Sequence, residues 1–218
     1  MKIAALNVAK PRIVEYKGKA VSTGIYKMPV EGPRMVRATN IDGDGQADLT
    51  VHGGPDKAVY GFPSEHYAVY AETLGHELYE PGQFGENLTT EGMLETEVRI
   101  GDHYRAGEVV LEVSQPRAPC FKFAIKMGTP SAIRLYLQSA MTGFYFRVIE
   151  EGMIAAGDTI ERVFVNQGAP TVDDVHRLYF LDKANVEGLK NASRCAALEA
   201  GWTKVFAARL EKLGVSSG

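Results

Sequence analysis

Through the first half of the chain, short runs of Val, Ile, Tyr and Thr alternate with polar turns. Segments 3–8, 12–16, 20–27, 34–40 and 47–52 carry the β-branched and aromatic residues, and Lys17-Gly18-Lys19, Glu31-Gly32-Pro33 and Asp42-Gly43-Asp44-Gly45 separate them. This pattern predicts short strands. Over 63–74 the period changes: Tyr67, Tyr70 and Leu74 recur at i, i+3 and i+7, Pro63 stands at the start and Gly75 just past the end, which predicts a helix. Strands are expected again at 97–100 and 108–113, a shorter helix at 131–140, and strands at 143–149 and 158–165. Many short strands, two inserted helices and no βαβ repeat predict a mixed, β-rich α+β fold whose sheet closes into a barrel.

After Pro170 the pattern turns helical. Thr171 to Asp174 reads as a capping box, with Val172, Val175, Leu178 and Tyr179 along one face. Further helices are expected near 186–199 and from Trp202 to Leu213, where Lys204, Arg209 and Lys212 favour the C-terminal end of the last one. The expected organisation is a sheet domain at 1–167 and a three-helix extension at 168–218. Three short helices bury little alone, so the extension is expected to dock on the sheet domain or on a second subunit.

With 218 residues, 45% of them hydrophobic, the chain has the material for a core and is not of the disordered class. A formal net charge of -3 gives no global attraction to nucleic acid or an anionic membrane, so an anion site must be a local cluster. The N-terminal apolar run is too short for a signal segment and nothing later approaches a membrane span. A cytoplasmic location is expected, with Cys120 and Cys195 reduced and too few to build a Cys-based metal or redox framework.

Several motifs dissolve on inspection. Asp42-Gly-Asp-Gly-Gln-Ala-Asp48 resembles a calcium loop, but Ala47 and Gly53 occupy the places where an EF-hand needs glycine and a bidentate glutamate; a tight polar turn is expected instead. His76 to Glu80 lacks the second histidine of a zinc-protease helix. Dinucleotide, Walker and serine-hydrolase fingerprints are absent. Two segments carry more chemistry. In Val51-His-Gly-Gly-Pro-Asp-Lys57, Gly53 and Gly54 let backbone amides approach an anion while His52 and Lys57 add donors; a glycine turn with a solvated lysine is the alternative. In Gln115-Pro-Arg-Ala-Pro-Cys120, two prolines exclude regular sheet pairing and fix a loop, and Arg117, folding back, would favour the Cys120 thiolate as a nucleophile or soft metal ligand. A small buried thiol is the bland alternative, and it is the expectation for Cys195.

Taken in order across roughly residues 40 to 165, Ala47-Asp48, His52-Gly-Gly-Pro-Asp-Lys-Ala-Val-Tyr60, Glu65-His-Tyr67, Phe84-Gly-Glu-Asn-Leu-Thr-Thr90, Ile100-Gly-Asp102 and Val113-Ser-Gln-Pro-Arg-Ala-Pro-Cys120 resemble the MOSC family, and most closely its stand-alone YiiM-like members with a three-helix extension. The resemblance implies a β-barrel that holds a pterin-based molybdenum cofactor, with Cys120 as catalytic residue and thiolate ligand of molybdenum. It implies that His52, Gly53, Gly54, Lys57, Asn87 and Arg117 line the cofactor site. For this group it also implies two-electron reduction of N-hydroxylated compounds, such as 6-hydroxylaminopurine, in a detoxifying role. No flavin, nicotinamide or iron–sulfur motif is present, so a separate flavoprotein reductase is the expected electron donor. A homodimer is what the subgroup implies, and no nucleic-acid or membrane partner is expected. The competing readings are a sulfur carrier with a persulfide on Cys120, independent of any fused pyridoxal-phosphate domain, and a molybdenum-cofactor delivery protein without turnover.

Overall fold

The computed structural model describes residues 1–48 and 53–215. His52 and most of the strand expected at 47–52 lie outside the described residues. The main sheet has eight strands, in the order β13-β9-β10-β11-β7-β8-β1-β4. In chain order these are β1 (Lys2–Val8), β4 (Met28–Pro29), β7 (Val59–Pro63), β8 (Leu88–Glu91), β9 (His103–Ala106), β10 (Val109–Pro116), β11 (Phe144–Glu150) and β13 (Ile160–Phe164). Every neighbouring pair is antiparallel except β7 and β8, whose parallel register is bridged by helix α1 (His66–Leu74). The hairpin β2 (Arg12–Tyr16) and β3 (Lys19–Thr23) stands apart, and β5 (Arg34–Arg37), β6 (Asn40–Ile41) and β12 (Gly152–Ile154) form a small third sheet.

The mixed α+β class is as expected, but the ladder of the main sheet does not close. Its two ends touch where Lys2 bridges Thr159, with Ile3 N donating to Asp158 O at 2.9 Å and Ile160 N to Met1 O at 2.9 Å. The outer edge of β1 is already taken at Asn7 and Val8 by β4, which leaves only its first residues for the far strand.

Three local expectations are corrected. Residues 97–100 form a turn with a lone bridge from Arg99 to Thr171, because their backbone groups are used by the loop and by the start of the tail. Pro116 does not break pairing: it ends β10 opposite Phe144, a position a proline tolerates because the ladder continues no further. A helix not anticipated, α2 (Phe121–Met127), follows Cys120 directly and buries Phe123, Ala124 and Met127. The helix α3 (Ser131–Ser139) falls where it was expected.

The tail comprises α4 (Val172–Phe180), α5 (Val186–Ser193) and α6 (Ala200–Lys212). The Thr171 box forms in full: its hydroxyl accepts from Asp174 N and the Asp174 carboxylate accepts from Thr171 N. Val172, Val175, Leu178, Leu189 and Phe206 join Ile3, Leu6, Val113, Phe144 and Phe146 in one continuous core, so the tail docks on its own sheet. A second, aromatic-rich cluster gathers Tyr60, Phe62, Tyr67, Tyr70, Phe84, Phe123 and Tyr136, with Phe62 and Phe84 stacked at 3.9 Å. It is the floor on which the site is built.

Candidate functional site

β10 delivers the Gln115–Cys120 segment. Gln115 and Pro116 are paired to Tyr145 and Phe144, the chain then leaves the sheet, and Cys120 takes the N-cap position of α2 in extended backbone. Arg117 turns inward and is buried. Its guanidinium donates to Phe84 O and its central carbon lies 4.6 Å from the Tyr60 ring centroid and 5.5 Å from that of Phe123. An arginine stays protonated in any such setting. Among the described residues no carboxylate forms an ion pair with it, and the groups around it are carbonyl oxygen, aromatic rings, phenols and the Cys120 thiol, with which its charge interacts. Burial holds Tyr60 well above the ordinary phenol range and raises Tyr145 in the same direction, so both are neutral neighbours. A buried cation without a counter-charge is costly unless an anion joins it.

Lys57 is placed by a tight turn, Pro55–Lys57, that opens on Gly54 at φ +92°. The turn is pinned to the sheet: Asp56 O accepts from Ser114 Oγ at 2.7 Å and from Gln115 Nε2 at 3.2 Å, and the Asp56 carboxylate pairs with Arg147. Lys57 is thereby held next to the cysteine-bearing segment.

The 82–87 loop completes the frame. Glu86, fully buried, folds back to accept from Gly82 N at 2.7 Å, Phe84 N at 2.9 Å, Thr89 Oγ1 at 3.0 Å and the Tyr67 hydroxyl. Gly82, at φ +86°, sits so close to Lys27 O that a Cβ would lie 2.5 Å from it. Lys126 from α2 ties the loop to the strand region by donating to Gly82 O and, at 3.1 Å, to Ile25 O; burial brings its pKa down to about 8. Asn87 is saturated: its Oδ1 accepts from Tyr60 N at 3.2 Å, and its Nδ2 donates to Asp44 Oδ2 at 3.0 Å and Asn7 O at 3.3 Å.

Asp44, from the apparent calcium loop, is a buried anchor. Its carboxylate pairs with Lys27 and accepts from Ala9 N at 2.9 Å, while Asp42 pairs with Arg37 at 2.7 Å. Both carboxylates are thus committed to cations, which removes the calcium reading. Burial lowers the pKa of Lys27, with Asp44 opposing.

These elements surround one narrow cavity of about 90 Å³. Of the residues singled out in the sequence, Lys57, Asn87, Arg117 and Cys120 line it; Gly53 and Gly54 do not. Lys27, Asp44, Tyr60, Lys122 and Tyr145 also stand at the wall; sequence reasoning assigned none of them to it, though Asp44 belongs to the apparent calcium loop, Tyr60 ends the glycine motif and Lys122 follows Cys120 by two. Among the described residues, four basic side chains, Lys27, Lys57, Arg117 and Lys122, line the cavity with one carboxylate, Asp44. Cys120 is half-buried. Cys195 is buried outside this cavity, just after α5 rather than on a helix, and burial raises its thiol pKa. His76 and Glu80 are exposed, and no helix of the described residues is long and apolar enough to cross a membrane.

Comparison with known proteins agrees with this layout. Residues 48–161 match the MOSC domain and residues 170–213 match the YiiM-like, 3-alpha helix domain. An uncharacterized protein, YflK, of Bacillus subtilis (strain 168) is 41% identical over 211 residues, covering 97% of this chain and 95% of that protein. A reductase of Gibberella moniliformis is 38% identical over 146 residues, which are 66% of this chain but 26% of the fungal protein. The crystal structure of YiiM from Geobacillus stearothermophilus superposes with a TM-score of 0.81 at 34% identity, covering 96% of this chain and 98% of that one.

Proposed function

This chain belongs to the MOSC domain family, and from that premise we propose that it binds a molybdenum cofactor at Cys120 and reduces N-hydroxylated compounds with electrons from a separate flavoprotein reductase. The observation that carries the reading is the buried guanidinium of Arg117, which forms no ion pair among the described residues, in a cavity that also presents the Cys120 thiol. The donor set fits such a group: a thiolate suits a soft, redox-active metal, and a phosphate needs charge-assisted donors of the kind Arg117, Lys57 and Lys122 provide. The narrow cavity has room for the anionic end of that ligand rather than for its whole length.

When bound, the cofactor supplies the two-electron chemistry that removes the hydroxyl oxygen as water and leaves N–H. The chain's own residues hold and orient. Cys120 would ligate the metal, and the Arg117 charge favours its thiolate. Arg117 and Lys57 would neutralise the phosphate, with Gly53 and Gly54 at the adjoining turn and the imidazole of His52 as a further proposed donor. Asn87, whose amide is fully used by Asp44, Tyr60 and Asn7, positions the wall rather than a reacting atom. Tyr60 and Tyr145, kept neutral by burial, add no charge of their own beside Arg117.

The division at 167/168, a cytoplasmic location and a homodimer form part of this proposal; the matched segments fall on either side of that division. The name of the fungal relative, a reductase, supports a redox role, although the shared stretch is only 26% of that protein. Reconstitution tests the reading. With NADH, a flavoprotein reductase and this protein, an N-hydroxylated substrate should be converted to its amine, and Cys120→Ala should abolish conversion. Turnover with NADH and this protein alone would eliminate the separate reductase. A persulfide on Cys120, without turnover, would transfer the assignment to sulfur carriage.

A further inference from the structure

Cys120 borders a second cavity. Lys57, Cys120 and Tyr145 line both, but the second is wider, about 370 Å³, and its far wall comes from the helical tail. Tyr179 of α4 and Trp202 of α6 line it together with Pro119 and Tyr145. This wall is fixed relative to the cysteine. Trp202 Nε1 donates to Gln115 Oε1 at 2.9 Å, and Gln115 belongs to the same short segment as Cys120. The Trp202 and Tyr179 rings lie 4.7 Å apart between centroids. Arg209 holds the end of α4 by donating to Leu178 O at 2.6 Å and Tyr179 O at 3.0 Å, with its guanidinium 5.0 Å from the Tyr179 ring.

Resting on the reading of Cys120 as the reactive centre, we infer that this second cavity is the substrate side of the thiol, and that Trp202 and Tyr179 select planar aromatic N-hydroxylated compounds over aliphatic ones. The two cavities differ in the way a two-ligand site requires. The narrow one is lined by basic groups and suits an anion. The wide one has aromatic faces and the room for a ring, and the thiol lies between them. A planar ring gains stacking on such a wall, and an aliphatic chain of the same N–OH chemistry gains little.

The chain has a single tryptophan, so its emission reports on this cavity alone. The test is to titrate full-length protein with benzohydroxamic acid and with acetohydroxamic acid, which share the N–OH group and differ in the ring. We expect saturable quenching by the aromatic compound, none by the aliphatic one at the same concentrations, and affinity for the aromatic weakened about tenfold by Tyr179→Leu. Molybdenum content of Tyr179→Leu should stay at the wild-type level. If that variant fails to fold, the two ligands on the wild-type protein still decide the matter. Absence of quenching, or equal quenching by both, overturns this inference while leaving molybdenum binding at Cys120 intact. Loss of molybdenum from folded Tyr179→Leu also overturns it, by assigning the wall to the cofactor. Quenching that persists where molybdenum proves independent of Cys120 overturns the underlying reading, and with it the placing of substrate beside the thiol.

Discussion

The guanidinium of Arg117 lies over the ring of Tyr60, 4.6 Å from its centroid, and it is this stack that lets a charged side chain occupy the aromatic floor beside Cys120. Arg117→Lys keeps the charge but not the planar face or the fork that reaches Phe84 O. A stability loss of about 1–3 kcal/mol is expected in urea unfolding, together with reduced retention of the cofactor. Unchanged cofactor content in a folded lysine variant would show that charge alone suffices.

The Lys27–Asp44 pair is buried on both sides. Lys27→Met leaves a carboxylate in the interior with Asn87 and Ala9 as its remaining donors among the described residues, a loss of about 3–5 kcal/mol by comparison with other broken buried pairs. The double variant Lys27→Met, Asp44→Leu should recover more than half of that loss, because it removes the stranded charge. Equal instability of single and double variants would mean that Asp44 acts chiefly through Asn87 and Ala9.

Lys126 gives stability a pH dependence of definite sign. Its pKa in the folded protein is about 8, against about 10.4 for an unfolded lysine. Between these values the unfolded chain binds more protons, so stability rises with pH. Lys27, lowered in the same direction, adds to the slope. The buried tyrosines act oppositely: Tyr60, Tyr67, Tyr70, Tyr104 and Tyr136 are all raised by burial, so their contribution is lost as unfolded phenols ionise near pH 10. Urea midpoints should therefore climb from pH 8 to about 9.5 and turn over above it. Lys126→Met should flatten the climb, and a wild-type midpoint that falls from pH 8 onward would contradict the assignment.

Much of the fold was written locally. The Thr171–Asp174 box, Gly75 at the end of α1 and the tail helices follow from cap chemistry and a helical period that act over a few residues. What the sequence concealed was either ambiguous or distant. Phe121-Lys122-Phe123 alternates like a strand, yet α2 forms because Phe123, Ala124 and Met127 find the aromatic cluster. Pro116 suggested a broken ladder, but its place as the last residue of β10 makes it compatible with pairing. The run of short strands was legible, but the expected closure into a barrel was not borne out, because the early occupation of β1 by β4, which stops the ladder from closing, depends on long-range registers. In the site, Cys120, Arg117, Lys57 and Asn87 came from segments with distinctive residues. Lys27 and Asp44 are 17 positions apart, the first in an undistinguished segment and the second in a loop that resembles a calcium site, and only the folded chain pairs them. The role of Trp202 required knowing that the tail packs against the Gln115 segment.

The central claim is that the Cys120 thiolate holds molybdenum in the cation-lined cavity. The most direct measurement is the molybdenum and pterin content of protein purified from a host that makes the cofactor, wild type against Cys120→Ala, with folding checked by thermal unfolding. Near-stoichiometric molybdenum is expected in the wild type, with its loss from a folded Cys120→Ala. Molybdenum retained by that variant, or absent from wild-type protein made in a cofactor-replete host, would contradict it.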